Sequence, residues 1–191
     1  LNSIKIKVNN NIDIYIITSH LESVFSNYRN KIKENQYKYI LNKFSNKPNC
    51  IFVGDTNLLD NQESKIKKIT QKYNCVDAWV NDGSKLNKKY TYDYKHNMYV
   101  KMKNRKHQSR FDRVIYKTNN LIQKSFNFIG KEKLILKNNI NYQLSDHFGI
   151  LTKFRISKTN PEIIKKSRRE CRSKNLIYDI KTRKCRSRMK K

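Results

Sequence analysis

Four short polar segments, each attached to the end of an apolar run, constrain this chain more than anything else in it. They are Thr18-Ser19-His20-Leu21-Glu22-Ser23, Gly54-Asp55-Thr56-Asn57, Arg110-Phe111-Asp112-Arg113 and Ser145-Asp146-His147. The runs beside them, such as Ile12 to Thr18 and Cys50 to Gly54, are rich in β-branched and aromatic residues and read as buried strands. Polar groups at the ends of buried strands collect along the rim of a sheet. Two histidines, three aspartates and an amide gathered there could hold a phosphodiester, a divalent metal and an attacking water.

The remaining pattern places helices between those strands. Residues 26–44 carry Ile32, Tyr39, Ile40 and Phe44 near helical spacing, with Ser26 or Asn27 as cap and Pro48 as stop. Asp60 to Tyr73 reads as a second helix with Ile66 and Ile69 on one face. Residues 81–109 hold few apolar anchors and read as a long surface loop around a brief strand at Tyr90 to Asp93. Phe111 to Tyr116, Ser125 to Ile129 and His147 to Ile156 read as further strands. No internal repeat is visible.

Charge narrows the partner. The net charge of +28, from 43 Lys+Arg against 15 Asp+Glu, calls for a polyanion. Nucleic acid is the leading candidate and an anionic membrane surface the alternative. No apolar run approaches the ~20 residues of a membrane span. Position 1 is Leu, so targeting is not read from the N-terminus. Cys50 and Cys75 read as reduced core residues, and the four cysteines lack zinc-cluster spacing. After Ile156 the composition shifts. Residues 157–191 hold 14 Lys+Arg against three acids and too few apolar groups to fold on their own core.

Residue by residue, Asp55 follows a strand through a glycine and so meets solvent at the strand end. Asn57 can offer an amide to a phosphate oxygen, and His20 ends the first strand. Asp146 could bind a hard cation, and His147 could donate to phosphate. Asp112 is the natural orienter of His147 through one ring nitrogen.

These motifs resemble the endonuclease/exonuclease/phosphatase superfamily. Thr-Ser-His-Leu-Glu-Ser, Gly-Asp-Thr-Asn-Leu and Arg-Phe-Asp-Arg, with Asp77-Ala78-Trp79 and Thr91-Tyr92-Asp93 in order, are most similar to its tyrosyl-DNA phosphodiesterase type 2 subgroup. The resemblance covers about residues 1–156. It implies an α+β fold of DNase I type, a four-layer two-sheet β-sandwich flanked by helices, and phosphodiester hydrolysis dependent on Mg2+, with Mn2+ as the substitute. It implies a DNA substrate, at ends or single-stranded segments, and so DNA-end repair. By position, Asp55 activates water, Asn57 holds the phosphate, His20 and His147 stabilise phosphoryl charge, Asp112 orients His147 and Asp146 lies near the metal. Tyr92 and Phe111 match groove walls, and Ser23, Arg110 and Ser145 are expected at the substrate with them.

Three departures accompany the resemblance. The family's N-terminal half carries an Asn and its principal metal-binding Glu, and nothing in residues 1–191 corresponds to them. The stretch alone is therefore expected to hydrolyse little and to leave apolar sheet edges exposed. Tyr92 stands where relatives have Trp, and Leu59 where they have Arg. In the tail, Glu170-Cys171 with Tyr178-Asp179-Ile180-Lys181-Thr182-Arg183-Lys184-Cys185 resembles the two-cysteine modules of large DNA viruses. A protein partner is expected there, with a hairpin clasped by the two cysteines or a disordered basic tail as the alternatives. A second reading of the whole chain is a catalytically dead remnant serving as a basic nucleic-acid-binding or virion-associated module.

Overall fold

The computed structural model describes residues 1–191 except 10–11, 45, 104–105, 136–140, 158–168, 174–176, 180–183 and 187–191. Its main sheet has five strands: β1 (Asn2–Asn9), β2 (Ile12–Thr18), β3 (Asn49–Asp55), β4 (Val76–Asp77) and β7 (Asp112–Thr118), in the order β1-β2-β3-β7-β4. Only β2 and β3 run parallel. The crossover between them is α1 (Asn27–Asn42), and α2 (Glu63–Lys72) follows β3. A second sheet pairs β8 (Leu121–Ile129) with β11 (Gly149–Ile156), antiparallel.

Strand alternation builds two cores from the same strands. Ile17, Cys50, Phe52 and Ile115 face the helices and pack on Tyr37, Ile40, Leu41, Phe44, Ile66 and Ile69. Their neighbours Ile14, Ile51, Val53, Val114 and Tyr116 face the other way, onto Leu121, Phe126, Ile150 and Phe154 of the second sheet. The result is a helix layer, a sheet, and a second sheet stacked in that order. Among the described residues β8 and β11 pair only with each other, and Ile129, Leu151 and Ile156 lie exposed.

Helix α1 starts where the sequence says it should. Ser26 is extended and its Oγ accepts from the Arg29 amide at 3.2 Å. Lys33, Glu34, Tyr37, Ile40 and Leu41 form its buried stripe. The second helix begins later than Asp60, because Asp60–Gln62 form a single 3-10 turn before Glu63.

Residues 81–109 are better organised than a surface loop. β5 (Tyr92–Asp93) pairs with β6 (Gln108–Ser109), and α3 (Ala78–Asn81) and α4 (Met98–Met102) flank them. Side-chain caps compensate for the scarcity of apolar residues. Asn97 Oδ1 accepts from the Tyr99 and Val100 amides, which turns fully buried Val100 onto Tyr92 and Phe111. Further strands also shift: β7 starts at Asp112, β8 extends back to Leu121, and β11 begins two residues after His147.

Two short pairs remain, β9 (Leu134–Ile135) with β10 (Asn141–Tyr142), and β12 (Ile177–Asp179) with β13 (Lys184–Arg186). Cys171 and Cys185 are joined by a disulfide that ties the last hairpin to the residues before it. The rest of the basic tail lies largely outside the described residues. Cys50 and Cys75 are free and buried. No helix among the described residues is long and apolar enough to cross a membrane.

Candidate active site

The polar rim of the sandwich follows from strand parity. Asp55 continues the row of Ile51 and Val53, and Asp112 begins the row of Val114 and Tyr116. The two aspartates are register partners across the antiparallel β3–β7 pair, so both carboxylates leave on one face at the end of the sandwich. Gly54 allows the β2 end to close in, since a Cβ there would run into the Ser19 carbonyl oxygen. That approach is sealed by the Leu21 amide donating to the Asp55 carbonyl at 2.9 Å.

The ligand atoms of Asp55, Asp112 and His147 lie within 4.8 Å of one another. Asp112 Oδ2 and His147 Nδ1 are 2.7 Å apart, which leaves Nε2 as the ring nitrogen for other work. His147 is held by its neighbours as well. Its amide donates to Ser145 Oγ at 3.1 Å, and it bridges to Tyr92 as an isolated antiparallel pair. On the other side, His20 Nε2 lies 3.4 Å from Asp55 Oδ2 and 3.5 Å from Asn57 Nδ2. Asn57 occupies left-handed backbone (φ 48°), and its amide donates to Asp55 Oδ1 at 2.7 Å. Its side-chain amide also donates to the Leu21 carbonyl at 3.3 Å.

Electrostatics divide these groups by role. Burial, then the Asp112 charge, push the Asp55 carboxyl above its ordinary value, which makes it the better base. Burial works to lower His147, but its bond to Asp112 and the charges of Asp112, Asp55 and Asp146 outweigh that and raise it. Imidazolium is therefore favoured toward neutral pH, as suits a donor to an anionic phosphoryl group.

Other residues named from the sequence fall in different places. Asp146 stands outside the three-residue cluster and pairs with Lys103 at 3.1 Å. Tyr92 and Phe111 are buried, with ring centroids 5.3 Å and 5.9 Å from His147, so they form the wall behind the imidazole. Ser23 is exposed in the segment after His20, whereas Ser145 serves the loop: its carbonyl accepts from Asn97 and its hydroxyl from His147. Arg110 is engaged elsewhere. It is 2% exposed, its guanidinium is held by Glu63 (2.9 Å) and Asp77 (2.7 Å), and it lies over Trp79. Arg113 shares both acids. Such a buried, doubly paired guanidinium fixes α2 and β4 on the sheet and has no free donors to offer a substrate.

Three site neighbours escaped sequence reasoning. Lys33 is fully buried and donates to the Asn57 carbonyl at 3.2 Å. His107 lies 5.8 Å from Phe111, ring to ring. Phe25 stacks on Phe111 at 5.8 Å. Only Phe25 had a sequence cue, an apolar residue directly before a helix cap.

No family model and no curated protein sequence matches the chain. Solved structures do. TDP2 of D. rerio, in a complex with single-strand DNA product, is 25% identical with a TM-score of 0.61, over 81% of this chain and 67% of that one. The chain has the DNase I-like fold. Truncated TDP2 from Caenorhabditis elegans is 22% identical (TM-score 0.59), over 76% of this chain and 55% of that chain. An endonuclease/exonuclease/phosphatase from Beutenbergia cavernae DSM 12333 is 13% identical (TM-score 0.56), over 82% and 39%. The chain thus spans from two thirds to well under half of these structures. The expected two-sheet α+β architecture is borne out.

Proposed function

We propose that the chain is a hydrolase of DNA phosphodiesters that uses a divalent cation, Mg2+ or in its place Mn2+, and acts in DNA-end processing of the 5′-tyrosyl type. The observation that carries this reading is the face-to-face pair of Asp55 and Asp112 with His147 bonded to one of them. The D. rerio neighbour with single-strand DNA product and the net charge of +28 support the choice of nucleic acid.

The donor set fits a hard cation. Two carboxylates oppose each other on one face, and their mutual repulsion, part of what raises Asp55, is what a dication relieves. Asp55 and Asp112 would hold it, with Asp146 able to join on release from Lys103. A cation so held would neutralise phosphoryl charge and acidify a water. Asp55 accepts the proton of the attacking water. His147 donates through Nε2 to a phosphoryl oxygen while Asp112 fixes its tautomer, and His20 approaches from the open side. Asn57 holds Asp55 in place through its main-chain amide. Residues 1–156 would form the C-terminal part of the catalytic domain, and 157–191 a basic tail that holds nucleic acid or a protein partner.

The full-length protein should be given Mg2+ and, in parallel, a 5′-phosphotyrosyl oligonucleotide, an abasic duplex and an inositol polyphosphate. Turnover of the first above the others is expected, and preference for the inositol phosphate would overturn the nucleic-acid reading. The two-stranded second sheet and the charge also favour a second reading, a basic nucleic-acid-binding module without turnover. DNA binding with no cleavage of any substrate, unaltered by Asp55→Asn, would select it.

A further inference from the structure

Three rings stand in a row beside the catalytic cluster. His147 stacks on Phe111 (centroids 5.9 Å apart, planes 27° apart), and Phe111 stacks on Phe25 (5.8 Å, 26°). The inner two are largely covered, but Phe25 is 52% exposed. An apolar residue just before a helix cap ordinarily staples onto the fourth helical residue. Counting from the Ser26 cap, that residue is Asn30, which is polar and cannot form this apolar staple. The ring is nonetheless held. The Lys33 ammonium, itself fully buried, lies 4.0 Å from its centroid. Glu22 stiffens the segment, since Oε1 accepts from the Val24 amide and Oε2 from Arg29.

We propose that Phe25 is a stacking platform for one nucleobase of a single-stranded nucleic acid whose phosphodiester lies at His147 and Asp55. This rests on the reading of that site as a nucleic-acid phosphodiester site. A fixed, half-exposed ring one neighbour away from the catalytic imidazole suits a base, because every base offers a π-face and stacking on aromatics needs no particular sequence. The chain's positive charge brings the strand, and Phe25 then distinguishes a strand with bases from a bare sugar-phosphate.

The test is equilibrium binding of the intact chain, in EDTA, to a short oligothymidylate and to a strand of equal length made of abasic residues. Phe25→Ala should weaken oligothymidylate binding about five- to 150-fold and leave the abasic strand unchanged. Phe25→Trp should keep the preference, and its added indole should be quenched by the base-bearing strand alone. Phe25→Ala loses the contacts with Phe111 and Lys33 and should lower the melting temperature modestly, whereas Phe25→Trp should keep it, and unchanged abasic-strand binding shows that the site itself is intact. Equal weakening for both strands, no weakening, or a wild-type chain that does not prefer bases would overturn the proposal. Cleavage of the 5′-phosphotyrosyl oligonucleotide in Mg2+ reads the hydrolytic function separately, so a chain that prefers bases yet cleaves nothing would lose the hydrolytic reading and keep the platform.

Discussion

Lys33 Nζ donates to the main-chain carbonyl of Asn57 at 3.2 Å while the whole lysine is shut off from solvent. A helix residue thereby holds the left-handed turn that follows Asp55. Desolvation lowers its pKa, with Glu22 and Asp55 opposing that shift. Lys33→Met keeps the volume and removes the donor. Chemical denaturation should show a loss of ~1–3 kcal/mol, the usual penalty for an orphaned buried acceptor. Activity in Mg2+ should fall with it, mainly in kcat, because Asp55 and Asn57 lose their support.

His147 and Asp112 should separate in a metal titration. His147→Ala removes the donor to the transition state and should lower kcat by ~10²-fold or more, with the Mg2+ concentration for half-maximal activity unchanged. Asp112→Asn should cost less in kcat and should raise that Mg2+ concentration, since a carboxylate is removed from the opposed pair. If Asp112→Asn left the Mg2+ requirement unchanged, Asp112 would only orient the imidazole.

Tyr92 contributes its ring, not its hydroxyl. The Oη is buried with no hydrogen-bond partner among the described residues. Tyr92→Phe should therefore be neutral or stabilising by up to ~1 kcal/mol in thermal denaturation, and should leave turnover intact. A large loss of activity would mean that the hydroxyl meets the substrate.

Acid should act on the fold through Glu63. Burial raises its pKa, but Arg113 and Arg110 overcome that and bring it down to about 2. A depressed carboxyl stabilises the fold above its unfolded value, and the contribution is lost as pH falls from about 4.5 toward 2. Urea denaturation across that window should show stability declining. Glu63→Gln should be less stable at neutral pH by ~3–5 kcal/mol, because two buried guanidinium groups lose one of their two acids and keep only Asp77, and should show a shallower pH slope.

The tail should carry non-specific charge. Deleting residues 157–191, with their 14 basic residues, should weaken binding to all sequences alike. The log–log salt slope should flatten by ~0.7 for each single-strand phosphate that the shortened chain no longer neutralises. An unchanged slope would point the Cys171–Cys185 hairpin toward a protein partner instead.

Much of the site could be read without coordinates because Asp55 ends β3, Asp112 begins β7 and His147 lies just before β11, and a strand end fixes position locally. Ser26 was legible for the same reason, as a cap whose chemistry is written in its own residue. Arg110 and Arg113 were not. Their acids, Glu63 and Asp77, come from elements far away in sequence, and no local pattern tells a guanidinium buried between carboxylates from one in water. Lys33 was hidden among the three lysines of α1, where only tertiary packing selects the buried one. Residues 81–109 looked like open loop because they are organised by polar caps such as Asn97, and hydropathy does not register caps.

Asp112 and Arg113 are adjacent on β7 and project to opposite faces, one to the rim beside Asp55 and one to Glu63 at the start of α2. Losing one residue ahead of this pair would set Arg113 opposite Asp55, a cation where the two carboxylates face each other. Adding one would set Asp112 against Glu63, two acids where an ion pair stood. The fold thus proofreads the frame of its active site. A slipped β7 pays in stability before it can present the wrong chemistry.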